Sequence, residues 1–242
     1  MLERRRPIAT TMAALMAVPA CLSKSTVTIC GFGALVSEYS SRLTFPDLTN
    51  FRLVRIQNYQ RVFAVPHLFL IRAGAIDPTA SMRIAALAAE PCDRASLVAC
   101  AFDVTLTDDQ RQAFMHREGE YSIVEAPIVP LDGGDESVGI LCAAGTDAAL
   151  DPVRYSPAAH GLTTIWHWPH DSGLLPADVY LRHILLATGR HPDSRVAESM
   201  LDDTLLADRV TTLRAYLEQP GQRATVMAAV PPPGPLAERF CG

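Results

Sequence analysis

Two short segments of this 242-residue chain hold residue types at spacings that can do chemistry. The first, Thr28-Ile29-Cys30-Gly31-Phe32-Gly33-Ala34-Leu35, is an apolar strand entering a turn with two glycines. Gly31 and Gly33 let the backbone turn sharply and approach a ligand without side-chain obstruction. Successive N–H groups in such a turn can form an anion-binding concavity; the alternative is a tight strand–loop turn with no ligand. The second segment, Arg117-Glu118-Gly119-Glu120-Tyr121, ends a predicted helix with a carboxylate able to move protons. Together they point to an enzyme rather than a generic globular domain.

The element that must position Glu118 is a helix over 107–117. Thr107-Asp108-Asp109-Gln110 is a capping box, whose Thr and Gln satisfy free backbone donors at the helix start. Gly119 sits where a helix C-terminus favours positive φ. Gln110, Phe114 and Glu118 then share one face, and the apolar Phe114 turns that face toward the core or a pocket wall. Glu118 meets the negative end of the helix dipole there. Burial and dipole would both favour its protonated form, as a general acid/base requires. The alternative is an exposed glutamate paired with Arg117 or Arg111.

Around these segments the chain reads as strands broken by turns. Strands are expected over 27–30, over 52–65 with a break near Asn58, and over 97–106. Two more, over 122–129 and 138–144, flank Asp132-Gly133-Gly134-Asp135, which is hairpin turn chemistry. An alanine-rich helix is expected over 79–90, stopping at Pro91. The region 176–219 should hold one helix over 180–188 and a longer one from Ser194, ended by Pro220-Gly221. This is not a regular βαβα series. It points to an α+β fold, a small, mostly antiparallel or mixed β-barrel with flanking helices, over a doubly wound sheet. The expected organisation is a single domain over 25–220, preceded by an extension over 1–24 and followed by a mobile tail over 221–242 that contains Pro231-Pro232-Pro233.

Composition removes several classes. The net charge of −5 argues against a nucleic-acid or anionic-membrane partner. No apolar run reaches the roughly 20 residues of a membrane-spanning helix. Lys24 is the only lysine, and it lies in the extension, so Schiff-base chemistry, pyridoxal phosphate attachment and a P-loop are all but excluded. The 6 cysteines show no CxxC and read as buried thiols in a reducing compartment. In His167-Trp168-Pro169-His170 the proline breaks helical pairing and no further ligand is near, so a loop is expected there and no metal site. Arg4-Arg5-Arg6 before the acid-free stretch 8–22 reads as a signal or organellar transit peptide, or as a disordered extension. The cytoplasm is the expected compartment, or an organelle if that leader is a transit peptide.

The motifs resemble those of the γ-glutamylcyclotransferase family. Gly31-Phe32-Gly33-Ala34-Leu35 looks like that family's Tyr-Gly-Ser-Leu loop. Asn58-Tyr59-Gln60-Arg61-Val62-Phe63 looks like its following strand. Arg117-Glu118-Gly119-x-Tyr121 resembles the stretch carrying its catalytic glutamate. Order and spacing agree over about 26–129, and the C-terminal helical region is loosely like the glutathione-specific branch.

The resemblance implies a small β-barrel that releases 5-oxoproline from a small γ-glutamyl substrate, with no cofactor and no metal. That substrate is glutathione, a γ-glutamyl amino acid or a γ-glutamyl amine. Because its own α-amine attacks its γ-carbonyl, the absence of a nucleophile motif is expected. Glu118 would be the acid/base, and Gly31, Phe32, Gly33, Ala34 and Leu35 would bind the γ-glutamyl half. Tyr121 would orient the substrate or Glu118, or is a core tyrosine at a strand start. Two departures stand out: Phe32 replaces the family's tyrosine and Ala34 its serine. Ser37 and Ser41 are candidate replacement hydroxyls, and Arg42, Arg61 and Arg72 are candidates for a substrate carboxylate. Two rival readings keep other outcomes open: a non-catalytic small-molecule binding module on the same barrel, and a dinucleotide-dependent oxidoreductase built on Gly31 and Gly33.

Overall fold

A computed structural model describes residues 18–234 together with Ala237 and Phe240. Most of the leader motif and Cys241 lie outside the described residues. The centre is a five-stranded mixed barrel. Its strands are β1 (Thr26–Gly31), β2 (Thr49–Pro66), β3 (Arg83–Thr105), β4 (Ser122–Pro130) and β5 (Ser137–Ala143). They run in the order β3-β1-β5-β4-β2, and β2 pairs with β3 to close the ring. Neighbours are antiparallel except β1 and β5, which meet in parallel at Ile29 and Ile140. This is the expected barrel, and it removes the dinucleotide reading. After the glycine turn, the chain passes a seven-residue helix, α1 (Glu38–Thr44), into β2, which runs antiparallel to β3. No crossover returns a strand parallel to β1 there, so the βαβ unit that a pyrophosphate site requires is missing.

Three local expectations hold in detail. The break near Asn58 is a bulge between Gln57 and Tyr59, with Asn58 at a φ of 60°. The segments β4 and β5 form the expected antiparallel hairpin. The capping box starts α3 (Asp108–Arg117) with both reciprocal hydrogen bonds in place.

The stretch 79–90 is corrected from helix to strand. Its alanines have strong helix propensity, but β3 runs through it, with Ala85, Ala86, Ala88 and Ala89 all buried. Small side chains on both faces of a central strand let a tight barrel close. Pro91 does not stop a helix; it stands opposite Tyr59 at the bulge, where a missing donor is tolerated.

Helices gather toward the C-terminus, with α2 (Leu68–Arg72) preceding them at the end of β2. The first of them, α4 (Asp178–Gly189), matches expectation. The longer helix foreseen from Ser194 is two helices, α5 (Ser194–Asp202) and α6 (Leu213–Glu218). Between them the chain pairs Thr204 and Leu205 with Arg61 and Val62 of β2. Within the segment after 220, α7 (Gln222–Ala228) buries Val226, and Phe240 packs against Leu70 and Ala177.

At the other end the packed body begins before Ser25. Leu22 is fully buried among Val27, Ile29 and Phe102. Leu22→Ala should therefore cost about 2–5 kcal/mol in a urea melt. A cost near zero would place the domain boundary at Ser25.

Candidate active site

The glycine turn owes its shape to close packing. A Cβ on Gly31 would lie 2.6 Å from Leu35 Cβ and 2.9 Å from Cys100 Sγ, and one on Gly33 would lie 2.8 Å from Tyr180 Oη. Only glycine fits either position without a shift. The loop is pinned from below: Ser41 Oγ and Cys100 Sγ both donate to the Leu35 carbonyl, at 2.6 and 3.0 Å. Ser37 caps α1 by accepting from the Ser40 N–H. Both serines thus hold backbone and do not stand in for the hydroxyl missing at Ala34. Among the described residues, the N–H groups of Gly33, Ala34 and Leu35 donate to no protein acceptor. Three free donors on one short turn form the kind of nest that binds an anionic oxygen.

Glu118 reaches the same place from the end of α3. Phe114, buried one turn earlier, anchors the helix face as the spacing requires. Glu118 has an ion-pair partner: Arg117 Nε donates to Glu118 Oε1 at 2.6 Å. The Arg117 guanidinium also lies over the rings of Phe45 and Phe114, at 5.4 and 5.6 Å. So the arginine is held by aromatic faces and in turn holds the carboxylate, instead of leaving it alone at the helix dipole. Arg111 is engaged elsewhere, with Asp108 and the Lys24 carbonyl.

Gly119 is not in the left-handed region, contrary to expectation. The helix ends on Glu118 itself, at φ −95° and ψ 19°. Glycine is required at 119 for a different reason: a Cβ there would lie 2.6 Å from the Tyr155 hydroxyl.

All the residues singled out in the two motifs, Gly31 to Leu35 with Glu118 and Tyr121, line one cavity of about 460 Å³. That volume suits a small molecule of a few residues. Tyr121 is a packed tyrosine that also lines the cavity. Its hydroxyl donates to the Leu87 carbonyl at 3.2 Å, and its ring packs edge-on against Trp166 at 5.6 Å, yet it also faces the cavity. Burial pushes the Tyr121 and Tyr180 hydroxyls up from their ordinary values, so both stay neutral donors.

Of the three candidate arginines, only Arg72 reaches the cavity. Arg42 pairs with Glu38 and ties down the Pro46 and Leu48 carbonyls. Arg61 is fully buried, donating to the Val98 carbonyl of β3, to Thr204 Oγ1 and to Met200 Sδ of α5; its guanidinium is a structural clamp that ties these segments to β2.

Several cavity residues carried no sequence signal. Glu120 is half-buried, and its carboxyl is raised, mainly by burial and further by Glu118. Tyr180, His183 and Phe240 come from distant segments that only the folded chain brings together. His183 is buried, and desolvation, with Arg182 adding, lowers its pKa to about 4. A free histidine protonates near pH 6.5, so as pH falls the unfolded chain takes up this proton first. Stability should therefore decline between about pH 6.5 and pH 4 and be flat in this contribution outside that window. Urea melts across that range should show it, and His183→Gln should flatten the profile; an unchanged slope would mean that His183 does not govern it.

Among the described residues, no group of three His, Cys, Asp or Glu side chains is placed to hold a metal, and no helix is long and apolar enough to cross a membrane.

No protein-family model matches the sequence. A search of curated proteins found no match either. Among solved structures, several chains are similar in part. A γ-glutamyl cyclotransferase specific to glutathione from yeast aligns with a TM-score of 0.44 and 12% identity, covering 73% of this chain and 96% of that one. An uncharacterized human protein gives 0.39 and 11%, covering 51% and 69%. A γ-glutamyl cyclotransferase gives 0.36 and 10%, covering 49% and 68%.

Proposed function

We propose that this protein is a γ-glutamyl cyclotransferase, releasing 5-oxoproline from a γ-glutamyl compound by intramolecular aminolysis. The observation that carries the reading is the convergence of the glycine turn, with its three unpartnered N–H groups, and Glu118 on one cavity.

In this reaction the bond between the γ-carbonyl and the leaving nitrogen breaks, and one between that carbonyl and the α-nitrogen forms. Two protons pass from the α-ammonium to the leaving nitrogen, and no water is consumed. Glu118 takes protons from the α-ammonium and returns them to the leaving amine. The N–H groups of Gly33, Ala34 and Leu35 hold the γ-glutamyl carboxylate or the developing oxyanion, and one such donor contributes about 3 kcal/mol to transition-state stabilisation. The walls do the rest by holding amine and carbonyl in register. Phe32 and Ala34 fit this scheme because the turn acts through backbone donors rather than side-chain hydroxyls.

The test is incubation of the purified protein with glutathione and with γ-glutamyl-alanine, with chromatographic assay of 5-oxoproline and the freed amine. Equimolar release of both supports the reading. A folded protein that binds γ-glutamyl compounds but releases nothing would be a binding module.

A further inference from the structure

Two arginines at the cavity wall have no place in the scheme above. Arg72 ends α2, and Arg154 lies in the segment after β5; both line the cavity. Their guanidinium groups lie over the ring of the same tyrosine, Tyr155, at 5.1 and 5.0 Å. Arg72 Nη2 donates to the Arg154 carbonyl at 3.1 Å and lies 3.4 Å from His160 Nε2, so the two segments are tied together. Among the described residues neither guanidinium forms an ion pair with a carboxylate, whereas the third cavity arginine, Arg117, is neutralised by Glu118.

Tyr155 itself is buried, 3% exposed, and its hydroxyl approaches the Glu120 carboxyl without an aligned hydrogen bond. The Arg72 charge acts on the Glu120 carboxyl without an ion-pair contact, so one neighbouring carboxyl stands against two guanidinium groups, and the repulsion between them favours a further anion. Guanidinium groups are suited to that anion when it is a carboxylate, which they can bind in a planar fork.

Resting on the cyclotransferase reading, we propose that Arg72 and Arg154 form a subsite for a carboxylate on the leaving half of the substrate. The substrate class is then γ-glutamyl amino acids or peptides, not γ-glutamyl amines. The γ-glutamyl half occupies the glycine turn, and the leaving half extends toward the Tyr155 wall. Both arginines stay stacked on the ring, which limits their freedom before the substrate arrives.

The experiment compares kcat/KM for γ-glutamyl-alanine and γ-glutamyl-ethylamine, which differ only by the carboxylate on the leaving amine. The wild-type protein should favour the alanine compound at least 100-fold. In Arg72→Gln and Arg154→Gln the loss should be at least tenfold larger on γ-glutamyl-alanine than on the ethylamine compound. Arg72→Lys, which keeps the charge, should recover part of the preference, and thermal melts identify any variant that fails to fold. Equal turnover of both compounds by wild type, or equal losses on both in the variants, would overturn the subsite. Absence of 5-oxoproline from both compounds with wild type would overturn the reaction reading, and this inference with it.

Discussion

A Glu118→Gln variant should fold normally and release 5-oxoproline about 10²–10⁴ times more slowly than wild type. Glutamine keeps the shape of the side chain and leaves an acceptor for the Arg117 N–H, but it cannot take a proton from the α-ammonium. The fold should tolerate the change because Glu118 lies outside the packed core. The capping box at Thr107 and the buried Phe114 secure α3 without it. The pair with Arg117 is partly exposed, at 38% and 21%, and such pairs are worth about 1 kcal/mol or less. Single-turnover assays and thermal melts on the same preparation separate the two effects. Glu120→Gln is the matched control, since Glu120 lines the same cavity two residues on. If the loss followed Glu120 and spared Glu118, the acid/base would be the wrong carboxylate.

The largest effect on stability is expected from Trp166→Ala, at about 3–5 kcal/mol. Trp166 is 2% exposed and is held on three sides. Its indole N–H donates to the Glu120 carbonyl at 2.8 Å, and its backbone N–H to Asp147 Oδ1 at 2.7 Å. Its ring meets Tyr121 edge-on. Gly145 makes room for it: a Cβ there would lie 2.9 Å from Trp166 Nε1 and 2.9 Å from the Glu120 carbonyl. Removing the indole opens a cavity behind the segment that carries Glu118, Glu120 and Tyr121, so activity should fall along with stability. For a chain of this size the melting temperature should drop by roughly 10 °C. Trp166→Phe should fall between, keeping the ring contact with Tyr121 and losing the bond to Glu120. A shift of less than about 2 °C in Trp166→Ala would mean that this loop is not part of the site's support.

Much of the fold was legible where local chemistry decides the outcome. The Thr107–Gln110 box, the Asp132-Gly133-Gly134-Asp135 hairpin and the break at Asn58 are short-range signals, and each forms as read. The 79–90 stretch failed because alanine's helix propensity is local, while closure of a barrel around β3 is not. Tertiary packing overrode propensity there. The break between α5 and α6 failed for the same reason, since it depends on Thr204 and Leu205 finding β2.

The site divides similarly. The glycine turn and the 117–121 segment were visible because their residue types are unusual for their positions. The Arg117 pairing was foreseeable as one of two alternatives, and contact with Phe45 and Phe114 selects it. Tyr155, Trp166, Tyr180 and His183 were not visible. A tyrosine or tryptophan in a loop or helix has no marker for the cavity that it will face, and their partners lie far away in sequence. The hidden reason for Gly119 belongs here as well: the hydroxyl that excludes a side chain comes from Tyr155.

The central claim is that the substrate's own amine, not water, displaces the leaving group in this cavity. The most direct test is to run the wild-type protein on γ-glutamyl-alanine in ¹⁸O-labelled water and to identify the products by mass spectrometry. Intramolecular aminolysis predicts unlabelled 5-oxoproline and alanine in equal amounts. Glutamate carrying the label, or 5-oxoproline carrying it, would show hydrolysis and contradict the account.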